Sequence, residues 1–201
     1  MVAQVEIVAG GGGELGRATA MALAAGGRSV VAVDRNERGL LTSPAVSAAR
    51  WPRPPTPLWR ESSSTGGDAL STTPETLRLM FDVNLGPALW LSQAVAPHMP
   101  QGSGVIVDVA RRPGLEPAEG MAAYREQGRP GAPDAHPRHR ARRARSPGER
   151  GLLDTTANRA ALPAEVMAKA VSPEAIADVI AFRVSDAAAP GSGAILPVYG
   201  G

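Results

Sequence analysis

Cysteine is absent from the 201-residue chain. That excludes disulfides, thiolate metal sites and a cysteine nucleophile, and it fits a reducing compartment. Aromatic residues make up only 3% of the chain, while the hydrophobic fraction is an ordinary 43%. A core must therefore be assembled from Ala, Val, Leu and Ile. Lysine is almost missing too: Lys169 is the only one, and every other basic side chain besides histidine is an arginine. The N-terminus lacks a basic region followed by an apolar run and a cleavage site. No apolar run approaches the roughly 20 residues of a membrane helix. The expectation is a soluble, cytoplasmic protein with no membrane partner. His98, His136 and His139 have no metal-ligand company in the sequence, so no metal site is expected.

What the chain does have is glycine, proline and locally concentrated arginine. Gly 23 and Pro 19 are both high, and the prolines cluster, which points to irregular segments. Net charge is only +2 although the sequence pI is about 9.6. Eight arginines lie between Arg125 and Arg150. The basicity belongs to one segment rather than to the whole surface.

The first 35 residues read as strand, glycine-rich turn, helix and strand: "VEIVA", "GGGGELG", "RATAMALAAGG" and "SVVAVD". This order is the βαβ unit of a parallel sheet. Residues 40–66 contain several prolines and no sustained period. Order returns after Asp68: "STTPETLRLMFDVNLGPALWLSQAVAPHM" opens with a Ser/Thr cap and Pro-Glu in the first turn, and its apolar residues recur at helical spacing. "GSGVIVDVA" reads as a buried strand, "SPEAIADVIAFRVSD" as a capped amphipathic helix and "GAILPVYGG" as a last strand. One Rossmann-like domain is expected over 1–201, an α/β doubly wound parallel sheet, incomplete, with irregular segments at 40–66 and 125–150.

A glycine-rich turn between a strand and a helix lets the backbone approach a pyrophosphate, and the helix N-terminus favours its negative charge. Asp34 closes the second strand. There a carboxylate can accept hydrogen bonds from an adenosine ribose and would repel a 2′-phosphate. The pattern points to dinucleotide binding, with NAD favoured by Asp34 and NADP left open.

These segments, in this order and spacing, resemble the short-chain dehydrogenase/reductase family. The family's turn, Thr-Gly-x-x-x-Gly-[Ile/Leu]-Gly, lays Gly10, Leu15 and Gly16 on matching positions, with Gly11 and Gly13 inside the turn and Arg35 beside Asp34. Ala9 replaces the threonine, and Glu14 stands where the family has its middle glycine. A side chain there crowds the pyrophosphate, and its charge repels it. "FDVNLGPALWLSQAVAPHM" resembles the fourth helix, with Asn84 at the structural and proton-relay asparagine. "GMAAY" places Tyr124 on the catalytic tyrosine. "LLDTTANRAALP" resembles the segment whose threonines reach the cofactor, here Thr155 and Thr156. The resemblance implies an NAD(P)-dependent oxidoreductase that moves hydride between the nicotinamide and a small alcohol or ketone. Its members are usually homo-oligomers.

The chain departs from the family where the chemistry is densest. The lysine expected four residues after the tyrosine, one helical turn on, falls on Gly128, and the serine expected about thirteen residues before it falls on Arg111. The Asn-Ala-Gly turn after the fourth strand is missing. Three readings stay open: an impaired oxidoreductase, a non-catalytic dinucleotide-binding relic, and an Arg-rich nucleic-acid-binding protein. The last has the charge but no aromatic interleaving. Loss of the crossover helix, which usually forms the family's dimer interface, predicts a destabilised chain that is monomeric or aggregates.

The segment 125–150 has a further explanation in its codons. Read one nucleotide later, the codons permitted from Glu126 onward allow Ser and Lys and then "AALVHLTRILAIELAARGARVNA". That run has the helical apolar spacing which the written residues lack, and it supplies the absent lysine. Residues 57–64 permit, in the other frame, "AVARVVVH", similar to the family's fourth strand. A reading-frame slip just after Tyr124, restored near Gly151, accounts for the segment 125–150. Resequencing the coding DNA from Ala122 to Leu153 is expected to show two additional nucleotides. An unchanged sequence would make the lysine-free segment genuine.

Overall fold

The computed structural model describes residues 5–34, 36, 39–40, 45–50, 72–100, 104–111, 140–146, 152–191 and 193–198. Two compact units emerge from the chain's own contacts. The first comprises Met1–Pro55, Leu152–Ala188 and Gly200–Gly201, and the second Thr56–Gly151 and Ala189–Tyr199.

The first unit is built on a three-stranded parallel sheet in the order β1 (Val5–Ala9), β2 (Ser29–Asp34), β3 (Val46–Arg50). Helix α1 (Glu14–Ala25) makes the crossover from β1 to β2. It ends at Gly26 and Gly27, the latter at φ +80°, a conformation that costs a residue without a β-carbon little. In register, Val30 lies beside Val46 and Val8 beside Ala32. These four residues point to one face, where they are buried with Ala20 and Leu23 of α1. Leu40, Ala24, Ala181 and Val184 pack around this cluster. This cluster thus consists of Ala, Val and Leu, in keeping with the shortage of aromatics. Alternate residues of β1 face the other way, and Val5 and Ile7 are exposed.

Helix α6 (Pro173–Arg183) packs along α1 in this unit. Its start is local chemistry: the Ser172 hydroxyl accepts from the Ala175 amide at 3.1 Å, and Pro173 occupies the first helical position, where no amide is needed. Ile176, Ala177 and Ile180 form its buried stripe. Arg28 pairs with Glu6 and donates to the Val184 carbonyl at 3.3 Å, which ties β1 to the end of α6. Two short helices, α4 (Thr156–Ala161) and α5 (Ala164–Met167), precede it. A parallel bridge between Leu153 and Val171 fixes the chain on either side of them.

The second unit holds another parallel sheet, in the order β4 (Val105–Arg111), β5 (Arg140–Ser146), β6 (Ile195–Pro197). Helix α2 (Pro74–Met80) begins at Thr73, whose hydroxyl accepts from the Thr76 amide at 3.2 Å. A backbone hydrogen bond, and after it a side-chain hydrogen bond with Thr73, hold the exposed Glu75 carboxyl below its ordinary pKa. The helix widens into a π-helical turn over Phe81–Leu85 and continues as α3 (Gly86–Val95).

Strands β3 and β5 fall inside the two segments that the sequence reads as irregular. Periodicity does not betray them. A parallel strand can draw its order from backbone hydrogen bonds to its neighbours rather than from its own side-chain pattern; among the described residues β3 pairs with β2, and β5 with both β4 and β6. Among the described residues no helix is long and apolar enough to cross a membrane.

Truncation of the core should be costly at a predictable place. Leu23→Ala is expected to lower unfolding free energy by about 2–4 kcal/mol, and Met21→Ala, on the exposed side of α1, by under about 0.5 kcal/mol. Equilibrium urea unfolding of both variants against the parent measures the difference.

Candidate functional site

In the first unit, the glycine turn between β1 and α1 combines a positive backbone angle at Gly10 with close contacts at Gly11, Gly12 and Gly16. Gly10 has φ +79°, and its amide donates to the Val33 carbonyl at 2.8 Å. Gly11 donates to the same carbonyl at 3.2 Å, and a β-carbon there would stand 2.7 Å from the Ala32 side chain. Gly13 donates to the Gly10 carbonyl at 3.0 Å and precedes the first helical residue. A β-carbon on Gly16 would overlap the Gly10 carbonyl oxygen. The absence of one lets α1 start directly against the turn. Leu15 sits in the first turn of α1, its carbonyl taken by the Thr19 hydroxyl at 2.8 Å.

Asp34 stands at the end of β2 and reaches this turn. Its Oδ2 accepts from the Gly12 amide at 3.0 Å and its Oδ1 from the Asn36 amide at 2.8 Å. The carboxylate is therefore fixed by two backbone donors rather than left free in solvent. Gly12 has no room for a β-carbon beside the Asn36 carbonyl and the Asp34 carboxyl. The sequence signals for this arrangement were Asp34 and Asn36 two residues apart, a spacing that forms an Asx turn, and a fourth consecutive glycine.

Thr155 and Thr156 open helix α4 in the same unit. The Thr155 hydroxyl caps the helix by accepting from the Asn158 amide at 3.1 Å, and Asn158 Nδ2 donates to the Leu153 carbonyl at 2.8 Å. The Thr156 amide donates to both carboxylate oxygens of Glu14, at 3.0 and 3.2 Å. Glu14, marked by the sequence as an intruder in the turn, thus spans from the start of α1 to the start of α4. Sequence reasoning missed that contact because its partners are 142 residues apart. Beside it, Arg159 donates from Nη2 to Asp154 Oδ2 at 2.6 Å. This hydrogen bond, and then the charge of Arg159, holds the Asp154 carboxyl below its ordinary pKa and raises Arg159. A carboxyl lowered in the fold stabilises it above the unfolded-state pKa, and that contribution is lost as pH falls through the lowered value.

Asn84 belongs to the second unit. It lies in the π-helical turn and donates from Nδ2 to the Met80 carbonyl at 3.0 Å, one of the acceptors a widened turn displaces. Such turns occur preferentially at functional sites. Ala110 is near the end of β4, where the family's serine is expected, and Arg111 ends that strand. Tyr124 and Arg35 lie outside the described residues. Among the described residues no group of His, Cys, Asp or Glu is arranged to hold a metal ion.

Comparison with known proteins agrees with this geometry. The sequence profile described as short chain dehydrogenase matches residues 63–125. No curated protein matches the chain. Among solved structures, the short-chain dehydrogenase/reductase described as glucose/ribitol dehydrogenase from Brucella melitensis is similar with a TM-score of 0.74 at 20% identity, covering 98% of this chain and 96% of that one. A 3-ketoacyl-(acyl-carrier-protein) reductase from the same organism, solved with NADH, gives 0.73 at 18% identity over 98% and 97% of the two chains. A short chain dehydrogenase from Shigella flexneri 2a, solved with NADP, gives 0.76 at 17% identity over 96% of each.

Two glycines in one turn should respond differently to the same added methyl. Gly16→Ala is expected to cost about 1–3 kcal/mol through overlap with Gly10, whereas a β-carbon on Gly13 meets that oxygen at an ordinary 3.4 Å and should cost much less. Urea midpoints of the two variants make the comparison. Residues 63–125 match the short-chain dehydrogenase profile, and the chain has the Rossmann-like α/β fold of the solved short-chain dehydrogenases/reductases.

Proposed function

We propose that the chain is by descent an NAD-preferring oxidoreductase acting on an alcohol or ketone, with turnover impaired in the form written here. The observation that carries this reading is the glycine turn. Gly11 and Gly16 approach their neighbours too closely for side chains and Gly10 holds a positive φ, next to a helix N-terminus and a carboxylate at the end of the adjacent strand. The backbone of this turn fits a dinucleotide pyrophosphate. Gly10, Gly11, Gly13, Leu15 and Gly16 would hold it, Asp34 and Arg35 would meet the adenosine ribose, and Thr155 and Thr156 the nicotinamide end.

When bound, the dinucleotide accepts the hydride of an alcohol as the alcohol becomes a ketone, or returns it in the reverse direction. Tyr124 is the group that takes or gives the hydroxyl proton, and Asn84 is its relay. The impairment follows from what stands beside Tyr124 in sequence. Gly128 cannot supply the positive charge that would lower the tyrosine pKa, and Arg111 cannot position a carbonyl as a serine hydroxyl does. General acid–base assistance of this kind contributes about 10²–10⁴-fold.

The same two residues favour a second reading, a dinucleotide-binding relic without catalysis. The arginine-rich run supports a nucleic-acid role less well. Part of it, Arg140–Ser146, is a strand paired on both edges rather than a free arm.

Titration of the full chain with NADH and NADPH, followed by nucleotide fluorescence, tests the binding half of the proposal. NADH should bind more tightly than NADPH, and Asp34→Ala should narrow that gap by about tenfold. Turnover of NADH with a panel of small ketones, abolished in Tyr124→Phe, separates the impaired enzyme from the relic. Absence of NADH binding would overturn both.

A further inference from the structure

We propose that Glu14 is a built-in competitor for the phosphates of the dinucleotide: its carboxylate straps the glycine turn to the start of α4 and must let go before the cofactor seats. The inference rests on the dinucleotide reading above and deepens it by assigning a regulatory contact within that site.

Three observations in the first unit support the strap. Glu14 is the first residue of α1, directly after the turn Gly10–Gly13, so its carboxylate starts from the place where the turn would receive an anion. It is exposed, yet its carboxylate is bonded rather than free. Both of its oxygens accept from one amide, that of Thr156, at 3.0 and 3.2 Å. Thr156 in turn is one of the two residues expected to face the cofactor's nicotinamide end. The strap therefore joins two places the same ligand would occupy.

The neighbourhood holds the carboxylate in place. The α1 N-terminus favours a negative group in its first turn. Arg159, locked to Asp154, lies close enough for the Glu14 charge to add to its raised pKa, after the larger effects of Asp154. On the other side of the turn, the Asp34 carboxylate already accepts from the Gly12 amide. The turn is thus flanked by two of the chain's own carboxylates, each bonded to backbone amides. A pyrophosphate entering here meets repulsion from Glu14 and finds the Thr156 donor taken. A neutral residue at position 14 removes both obstacles, and glycine removes the side chain as well.

The test compares the full chain with Glu14→Gly and Glu14→Gln. Hydrogen exchange of the Thr156 amide reads the strap without any cofactor, and NADH fluorescence titration reads the competition. Exchange at Thr156 should be slow in the parent and about tenfold faster in Glu14→Gly. NADH should bind about tenfold more tightly to Glu14→Gly, with Glu14→Gln between, since the amide keeps a hydrogen bond but loses the charge. If Glu14→Gly is too unstable to assay, Glu14→Gln carries both readouts alone. Equal NADH affinity in parent and variants, with measurable binding in each, overturns the strap and leaves the dinucleotide reading standing. Faster Thr156 exchange in the variants with no NADH binding to any form overturns the dinucleotide reading, and the competition falls with it. Unchanged Thr156 exchange shows that the contact does not persist in solution and overturns the strap directly.

Discussion

The contact on which the first unit depends is the approach of α1 to the turn that precedes it. Gly16 lies so near the Gly10 carbonyl that a single methyl would collide with it. That closeness fixes where the helix starts, hence which of its residues face the sheet. Thr19, Ala20 and Leu23 turn inward onto Val8, Val30 and Ala32 as a consequence. With almost no aromatic side chains available, the core gains from short distances what it lacks in residue size, because dispersion falls steeply with separation. Small residues on both the helix and the sheet make those distances possible.

The same turn is an electrostatic junction. Backbone amides converge on it from the glycines and from the start of α4, and two carboxylates, Asp34 and Glu14, take up Gly12 and Thr156. In the proposed site Asp34 would meet the ribose, since it ends the strand next to the turn. Glu14 would not, because it supplies from within the chain the negative charge that a ligand would bring. In the proposed dinucleotide site this arrangement would stabilise the ligand-free form with donors that binding would use, and affinity would become a difference between two anions rather than the strength of one.

Much of this was legible in the sequence, and for local reasons. The first strand, helix and strand follow from an apolar run, a glycine cluster and a second apolar run. Thr73 and Ser172 announce the starts of α2 and α6, since a hydroxyl that accepts from the amide three residues on needs no distant partner. The predominance of Ala, Val and Leu in the core follows from composition alone. Strands β3 and β5 were not legible. "VSAAR" and "RARRARS" carry no alternation that marks a buried face, and their order comes from the strands they pair with, β2 for β3 and β4 and β6 for β5. The π-helical turn at Asn84 was equally hidden, for its residues have the helical spacing of their neighbours.

By itself the sequence determined the chemistry at hand: a glycine turn able to approach an anion, an acid at the end of the next strand, a tyrosine at position 124 and no lysine or serine where that tyrosine would use them. These are properties of residue type and spacing along a few turns of chain. Only the tertiary structure decided what Glu14 does. Its placement in the turn was visible, but whether its charge faced solvent, an arginine or an amide depended on where residue 156 came to lie. A hydrogen bond between residues 142 positions apart is set by how the sheet and its crossovers bring them together, and no local pattern encodes it.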